Sequence, residues 1–252
     1  MLADFLSAVL PTSVSPLIAL LLMAASLTGS MITAAFGLGG GIFMLSVMTL
    51  IFPAAAVVPV HGAIQLGSNS GRALVQRKHI QWQMVLWISL GAILGSLVGG
   101  RFAATMPEDL FKILVGAFIL FIIWVPRPDV QTRGPVSSLI GGVVTAFVGM
   151  IVGVAGPLVL TFVRVISDRR ELIATHAALM TFQNTAKILT FMFYGFAFAA
   201  YLPLILALVA AGFVGTLIGS HILNKLPEAA FRTAFKALIT LMALDLLRRG
   251  LT

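Results

Sequence analysis

Apolar residues run through this chain in long stretches that no charge interrupts. Positions 5–71 contain no Lys, Arg, Asp or Glu, and further charge-free runs cover 79–100, 134–163 and 188–224. A helix that crosses a bilayer needs about 20 apolar residues, so these runs hold several crossings. Backbone polar groups cannot stay unpaired in hydrocarbon, and runs of this length favour helices over barrel strands. The pattern predicts ten segments, at about 16–36, 42–52, 58–76, 82–102, 110–125, 136–152, 157–166, 172–194, 202–223 and 230–247. The second and seventh are too short to cross alone and read as re-entrant or broken helices, so between eight and ten segments form the bundle.

Composition narrows the function classes. Of 252 residues, 60% are hydrophobic and 10% are charged, and the mean hydropathy is +1.09. A soluble domain carries about 25% charged residues, so a soluble enzyme, a nucleic-acid binder and a disordered chain are all disfavoured, and the lipid bilayer is the expected partner. Sixteen Lys and Arg against eight Asp and Glu leave a formal charge of +8. In a membrane chain that excess reads as basic loops on one side of the bilayer. There is no cysteine, so thiolate catalysis and thiolate metal sites are excluded. The opening residues carry Asp4 and no basic cluster, which does not read as a cleaved signal peptide.

The segment list looks like five plus five, and the residues support a duplication. The stretch from His61 through Asn69 and Arg72 to Leu74 aligns without gaps on His176, Asn184, Lys187 and Leu189, 115 positions later. Gly39-Gly40-Gly41 meets Val154-Ala155-Gly156 at the same offset, and Gly95 and Gly99 meet Gly215 and Gly219 at an offset of 120. The expected organisation is a first repeat over 1–126, a linker over 127–135 and a second repeat over 136–252. Charge indicates that the second repeat is flipped. Arg77-Lys78-His79 follows segment three while its counterpart 195–200 is uncharged; the loop at Pro53 is uncharged while its counterpart holds Arg164, Arg169 and Arg170. Basic character thus changes sides between equivalent loops, as inverted repeats require. Arg248-Arg249 runs against this reading. The fold class expected is an all-α membrane protein, a polytopic helical bundle of two inverted repeats with broken or short helices.

Two constellations carry candidate chemistry. The first is the pair of helix breaks. Gly37, Gly39, Gly40 and Gly41 fall in five positions, and Gly149, Gly153, Gly156 and Pro157 occupy the equivalent region. Glycine costs a helix about 1 kcal/mol each relative to alanine. Broken helices at membrane depth line protected cavities, and their free amides bind anions without a charged side chain. The alternative is close helix packing through small residues. The second constellation is a polar stripe. His61, Gln65, Ser68, Asn69, Arg72 and Gln76 fall within an arc of about 100° on a helix. The duplicate stripe holds His176, Gln183, Asn184 and Lys187, with Met180 in place of Gln65. A polar stripe in a membrane helix faces protein or water rather than lipid. Arg72 and Lys187 have no acidic residue within their segments apart from Glu171 at one edge, which suits a visiting anion; snorkelling of Arg72 to the interface is the competing reading.

The histidines read as interhelical hydrogen-bond residues or as carriers of a coupling proton. Without carboxylate or thiolate company they do not read as metal ligands, and no cofactor is expected. No central carboxylate cluster offers a cation site, and no nucleophilic or acidic set points to an enzyme. Arg232 and Lys236 read as an interfacial face.

These residues resemble the sulfite exporter TauE/SafE family. The resemblance rests on a charge-poor first helix ending in the glycine cluster at 37–41, a following proline, the short basic loop from Arg77 to Trp82, and the glycine-rich helix over 91–100. It covers essentially the whole chain. It departs from the usual pattern in that Ile42-Phe43-Met44 follow the glycines, with proline delayed to Pro53. The resemblance implies a multi-pass permease of the cell inner membrane. Its expected activity is secondary transport of a small anion, sulfite or an organosulfonate such as sulfoacetate, by alternating access and in the export direction. A homodimer is a candidate assembly. An anion channel and a membrane-embedded enzyme acting on a lipid-linked phosphate are the alternatives.

Overall fold

The computed structural model describes residues 11, 14–36, 39–126, 134–222 and 228–252. Among these, every regular element is helical: α1 (Pro16–Phe36), α2 (Gly40–Ile51), α3 (Ala54–Val75), α4 (Trp82–Ala104), α5 (Glu108–Trp124), α6 (Pro135–Val152), α7 (Gly156–Val163), α8 (Arg169–Phe193), α9 (Phe198–Ile222) and α10 (Glu228–Leu251), with a 3-10 turn at Arg77–His79. The segments expected from hydropathy correspond one to one, with ends that agree to within four residues. The largest differences are at the N-termini of α3 and α9, which each begin four residues early, and at the C-terminus of α10, which ends four residues late. At α3, Pro53 presets the backbone and starts the helix directly after α2. Gly37 and Leu38 of the first break, and 127–133 of the expected linker, lie outside the described residues.

Among the described residues, four stretches are long and apolar enough to cross a membrane: Pro16–Ala34, Trp82–Ala104, Pro135–Val152 and Phe198–Gly219. They are paired, α1 with α9 and α4 with α6. Glycines let the backbones approach, because a helix with no Cβ at its contact face brings carbonyls into contact distance. A Cβ on Gly95 of α4 would run into the Val143 carbonyl of α6, and one on Gly215 of α9 into the Leu27 carbonyl of α1. The outward faces carry Leu17, Leu20 and Leu21 on α1 and Leu206 and Phe213 on α9, all at least half exposed, as surfaces turned to lipid should be. Between the two pairs, α3 packs on α8, and α5 packs on α10. Leu22, Leu45, Met48, Val60, Leu208 and Ile239 are fully buried where these elements meet.

The ends of the bundle differ in chemistry. At one end Gln81, next to the basic turn, donates from its side chain to Glu171 at 2.8 Å and from its backbone to Thr175 at 3.0 Å. Asp168 caps α8 there, accepting from the amides of Arg170 and Glu171. At another junction Phe52, after α2, meets Tyr201 of α9 edge-on, and Tyr201 stacks on Phe196. The Glu171 and Arg170 amides hold the Asp168 carboxyl below its ordinary value.

Two outcomes follow from the packing and the cap. Gly95→Ala and Gly215→Ala each lower thermal stability, by about 1–3 kcal/mol for the overpacked contact, while Gly71→Ala, which meets nothing within 4 Å, leaves the melting temperature unchanged or raised; melting in detergent reads all three. A carboxyl whose value is depressed by folding stabilises fully above its unfolded value and loses that contribution as pH falls through the folded one. The melting gap between wild type and Asp168→Ala is therefore expected near neutrality and closes on acidification.

Candidate functional site

The two breaks position the site. α1 stops at Phe36 and α2 starts at Gly40, with Gly39 at φ +108°. α6 stops at Val152, Gly153 turns left-handed at φ +87°, and α7 starts at Gly156. Both positive φ values are ones that L side chains adopt rarely, which explains the glycines locally. A helix start leaves first-turn amides without a partner inside the helix; at α7 this is limited to the very start, because Pro157 has no N–H and Leu158 and Val159 donate to the Ala155 carbonyl.

A histidine answers each break with the same spacing. His61 Nε2 lies 3.0 Å from the Gly41 carbonyl oxygen, and His176 Nε2 lies 3.0 Å from that of Gly156, each twenty residues back along the chain. The two stripes, α3 and α8, thus pin the first turns of α2 and α7.

Both helix starts open on one cavity of about 320 Å³. Gly39 and Gly41 line it from the α2 side, and Gly156 and Pro157 from the α7 side. Gln65, Asn69 and Arg72 reach it from α3 and His176 and Met180 from α8, while Ile122, Ile123 and Phe235 supply an apolar wall. Arg72 is half-buried and donates to Ser68 at 3.3 Å. Among the described residues no carboxylate lines the cavity, and the described ion pairs lie elsewhere, at Lys112 with Glu108 and Asp109 and at Asp245 with Arg248 and Arg249. A second cavity of about 330 Å³ lies on the far side of Gln65 and Arg72, bordered by Ser26, Ser30 and Thr33 of α1 and Thr216 of α9.

The expected site residues therefore separate into two groups. Gly39, Gly41, Gln65, Asn69, Arg72, Gly156 and His176 surround the cavity. Gly40 is buried against Gly29 and borders the second cavity. His61, Gly153, Gln183, Asn184 and Lys187 do not line the main cavity. Lys187 is buried and donates to the Gly153 carbonyl at 2.8 Å. Gln183 donates to Thr145 at 2.9 Å. Gln183 Oε1 and Asn184 Nδ2 are buried without a hydrogen-bond partner beside a void of about 10 Å³. Gly37 is outside the described residues.

One cavity residue runs against the sequence expectation. Lys236 of α10, read as part of an interfacial face, lines the main cavity. Its ammonium sits 3.8 Å from the centre of the Trp124 ring, and Trp124 is held by a 3.0 Å hydrogen bond to Thr240. A cation over an indole face is attracted by the ring quadrupole, which holds the Lys236 side chain against Trp124 at the end of α5. The duplication offered no clue, since the position 120 residues earlier is Gly116. The arrangement as a whole presents two helix starts, two cations and amide side chains to one space, which suits a small anion.

Comparison with known proteins agrees with this chemistry. The family model described as Sulfite exporter TauE/SafE matches residues 21–246, nearly the whole chain. No curated protein and no solved structure gives a match. The family is one of membrane transporters for sulfite and related sulfur anions, consistent with the four apolar helices of spanning length. The chain belongs to the sulfite exporter TauE/SafE family of multi-pass membrane proteins.

Proposed function

We propose that this protein is a secondary carrier that exports sulfite or a small organosulfonate such as sulfoacetate across the cell inner membrane by alternating access. The observation that carries the reading is the convergence of the α2 and α7 starts with Arg72 and Lys236 on one cavity that no carboxylate lines among the described residues. Uncompensated positive potential in surroundings of low dielectric attracts a negative guest strongly. Asn69 and Gln65 supply neutral donors, and the apolar wall at Ile122, Ile123 and Phe235 accommodates the carbon portion of an organosulfonate. Lys187 acts from behind the cavity by holding the Gly153 carbonyl, so Arg72 and Lys236 are the cations assigned to the anion.

The same reading takes residues 1–126 and 136–252 as inverted repeats. Support comes from reciprocal packing. The first helix of each repeat lies on the fourth helix of the other, α1 on α9 and α6 on α4, and the third helices and the fifth helices pair with one another. The basic turn at 77–79 and the cap of α8 share one end, as flipped repeats require. Rocking of one repeat against the other exposes the cavity alternately to each side. The inside-negative membrane potential favours expulsion by about 2.3 kcal/mol per charge per 100 mV.

Flux of sulfite and sulfoacetate through proteoliposomes tests the assignment. Arg72→Gln and Lys236→Gln each slow transport by about tenfold or more, the value expected when a charge-assisted hydrogen bond to the anion is lost. Transport by both variants at the wild-type rate would overturn the assignment, and flux that never saturates with concentration would make the protein a channel.

A further inference from the structure

His61 occupies a place that a neutral imidazole does not satisfy. Its Nε2 lies 3.0 Å from the Gly41 carbonyl oxygen and its Nδ1 lies 3.2 Å from the Gly153 carbonyl oxygen. Both partners are acceptors. A neutral ring has one N–H and one bare lone pair, so one of the two contacts sets lone pair against lone pair in either tautomer. Only the imidazolium donates to both. The ring is 1% exposed, so water cannot relieve the mismatch from outside.

A second donor converges on the same oxygen. Lys187 reaches across from α8, its stem lying against Gly62, and donates to Gly153 at 2.8 Å. From the elements packed on His61, α2 presents the Gly41 backbone, the break after α6 presents the Gly153 backbone, and α8 presents Lys187, which is the charged group that acts on the ring. No carboxylate approaches either group among the described residues. Two full positive charges on one buried carbonyl repel strongly, so the two groups titrate as a coupled unit rather than independently.

We propose that His61 and Lys187 form the binding site for a coupling proton, held between the two helix breaks. This rests on the carrier reading above and extends it by naming the ion that drives the carrier. The proton arrives from water, occupies the ring nitrogen that the neutral tautomer leaves bare, and departs to water; no other bond is made or broken. With the proton bound, the ring ties the first turn of α2 to the end of α6. When it leaves, one tie is lost. Gly41 and Val154 both line the anion cavity, so the loss loosens the cavity wall at the point where the two repeats meet. Proton occupancy and anion access are thereby coupled.

Two measurements test this separately from the anion assignment. The melting temperature of the purified protein is followed from about pH 5 to about pH 9, the range in which histidine ordinarily changes charge. Wild type shows a step of about 2 °C or more that His61→Gln removes and that Lys187→Met, by taking away the neighbouring positive charge, moves to a different pH; superimposable profiles in all three overturn the proposal, and if His61→Gln does not fold, Lys187→Met decides. This arm needs no anion. In proteoliposomes, wild type uses a pH difference of one unit to accumulate sulfoacetate by about tenfold per coupled proton. His61→Gln loses the accumulation, whatever rate of sulfoacetate exchange it retains at equal pH. Exchange without any response to the pH difference in wild type overturns the proton site while leaving the carrier standing. Absence of exchange in wild type overturns the carrier reading, and the melting profile then decides the proton site alone.

Discussion

A peptide group that leaves a helix inside apolar surroundings must be met by protein, because hydrocarbon offers it nothing. The two breaks of this chain create such groups on both sides of the backbone. Their carbonyls are met by side chains from the central pair of helices: His61 at Gly41 and Gly153, Lys187 at Gly153, and His176 at Gly156. The first residues of both new helices, Gly41 of α2 and Gly156 and Pro157 of α7, line a shared cavity. The polar residues of α3 and α8 are therefore divided between two tasks. One set satisfies backbone acceptors and fixes the breaks in place, and the other set lines the space where the amides are offered.

The surrounding scaffold packs closely around that arrangement. Four apolar helices are matched in two close pairs, and at Gly95 and Gly215 the partner backbone occupies the space a side chain would take. Contacts of this kind suit a lipid setting, where burial of apolar surface between helices gains little over exposure to acyl chains and close packing carries the association. The central pair, α3 and α8, lies between these two pairs and carries the buried polar side chains larger than serine or threonine among the described residues, His61, Asn69, Gln183, Asn184 and Lys187.

Positive charge inside the bundle is tolerated in three different ways. Lys187 is fully enclosed and answered by a carbonyl, with its stem passing a glycine. Lys236 rests on an indole face. Arg72 is half-buried, with a serine hydroxyl one turn back. None is neutralised by a carboxylate among the described residues, and the proposed carrier draws on this: the anion completes an electrostatic arrangement that the protein leaves open, and the departure of the anion or of a proton shifts its balance.

Much of this was legible along the chain. Helix number, approximate ends, the two interruptions and the matched histidines are local or periodic properties, and hydropathy together with glycine chemistry expresses them residue by residue. Arg72 and Lys187 stand at equivalent positions of one motif, and by sequence they are alike. Tertiary structure separated them, sending Arg72 to the cavity and Lys187 to the Gly153 carbonyl, because the two stripes meet different neighbours across the bundle. It also brought in Lys236, whose direction is set by Trp124 on a distant helix. The order of apolar and polar residues determines where helices begin and end; which side chains share a cavity depends on how helices far apart in the chain pack together, and no one-dimensional pattern encodes that geometry.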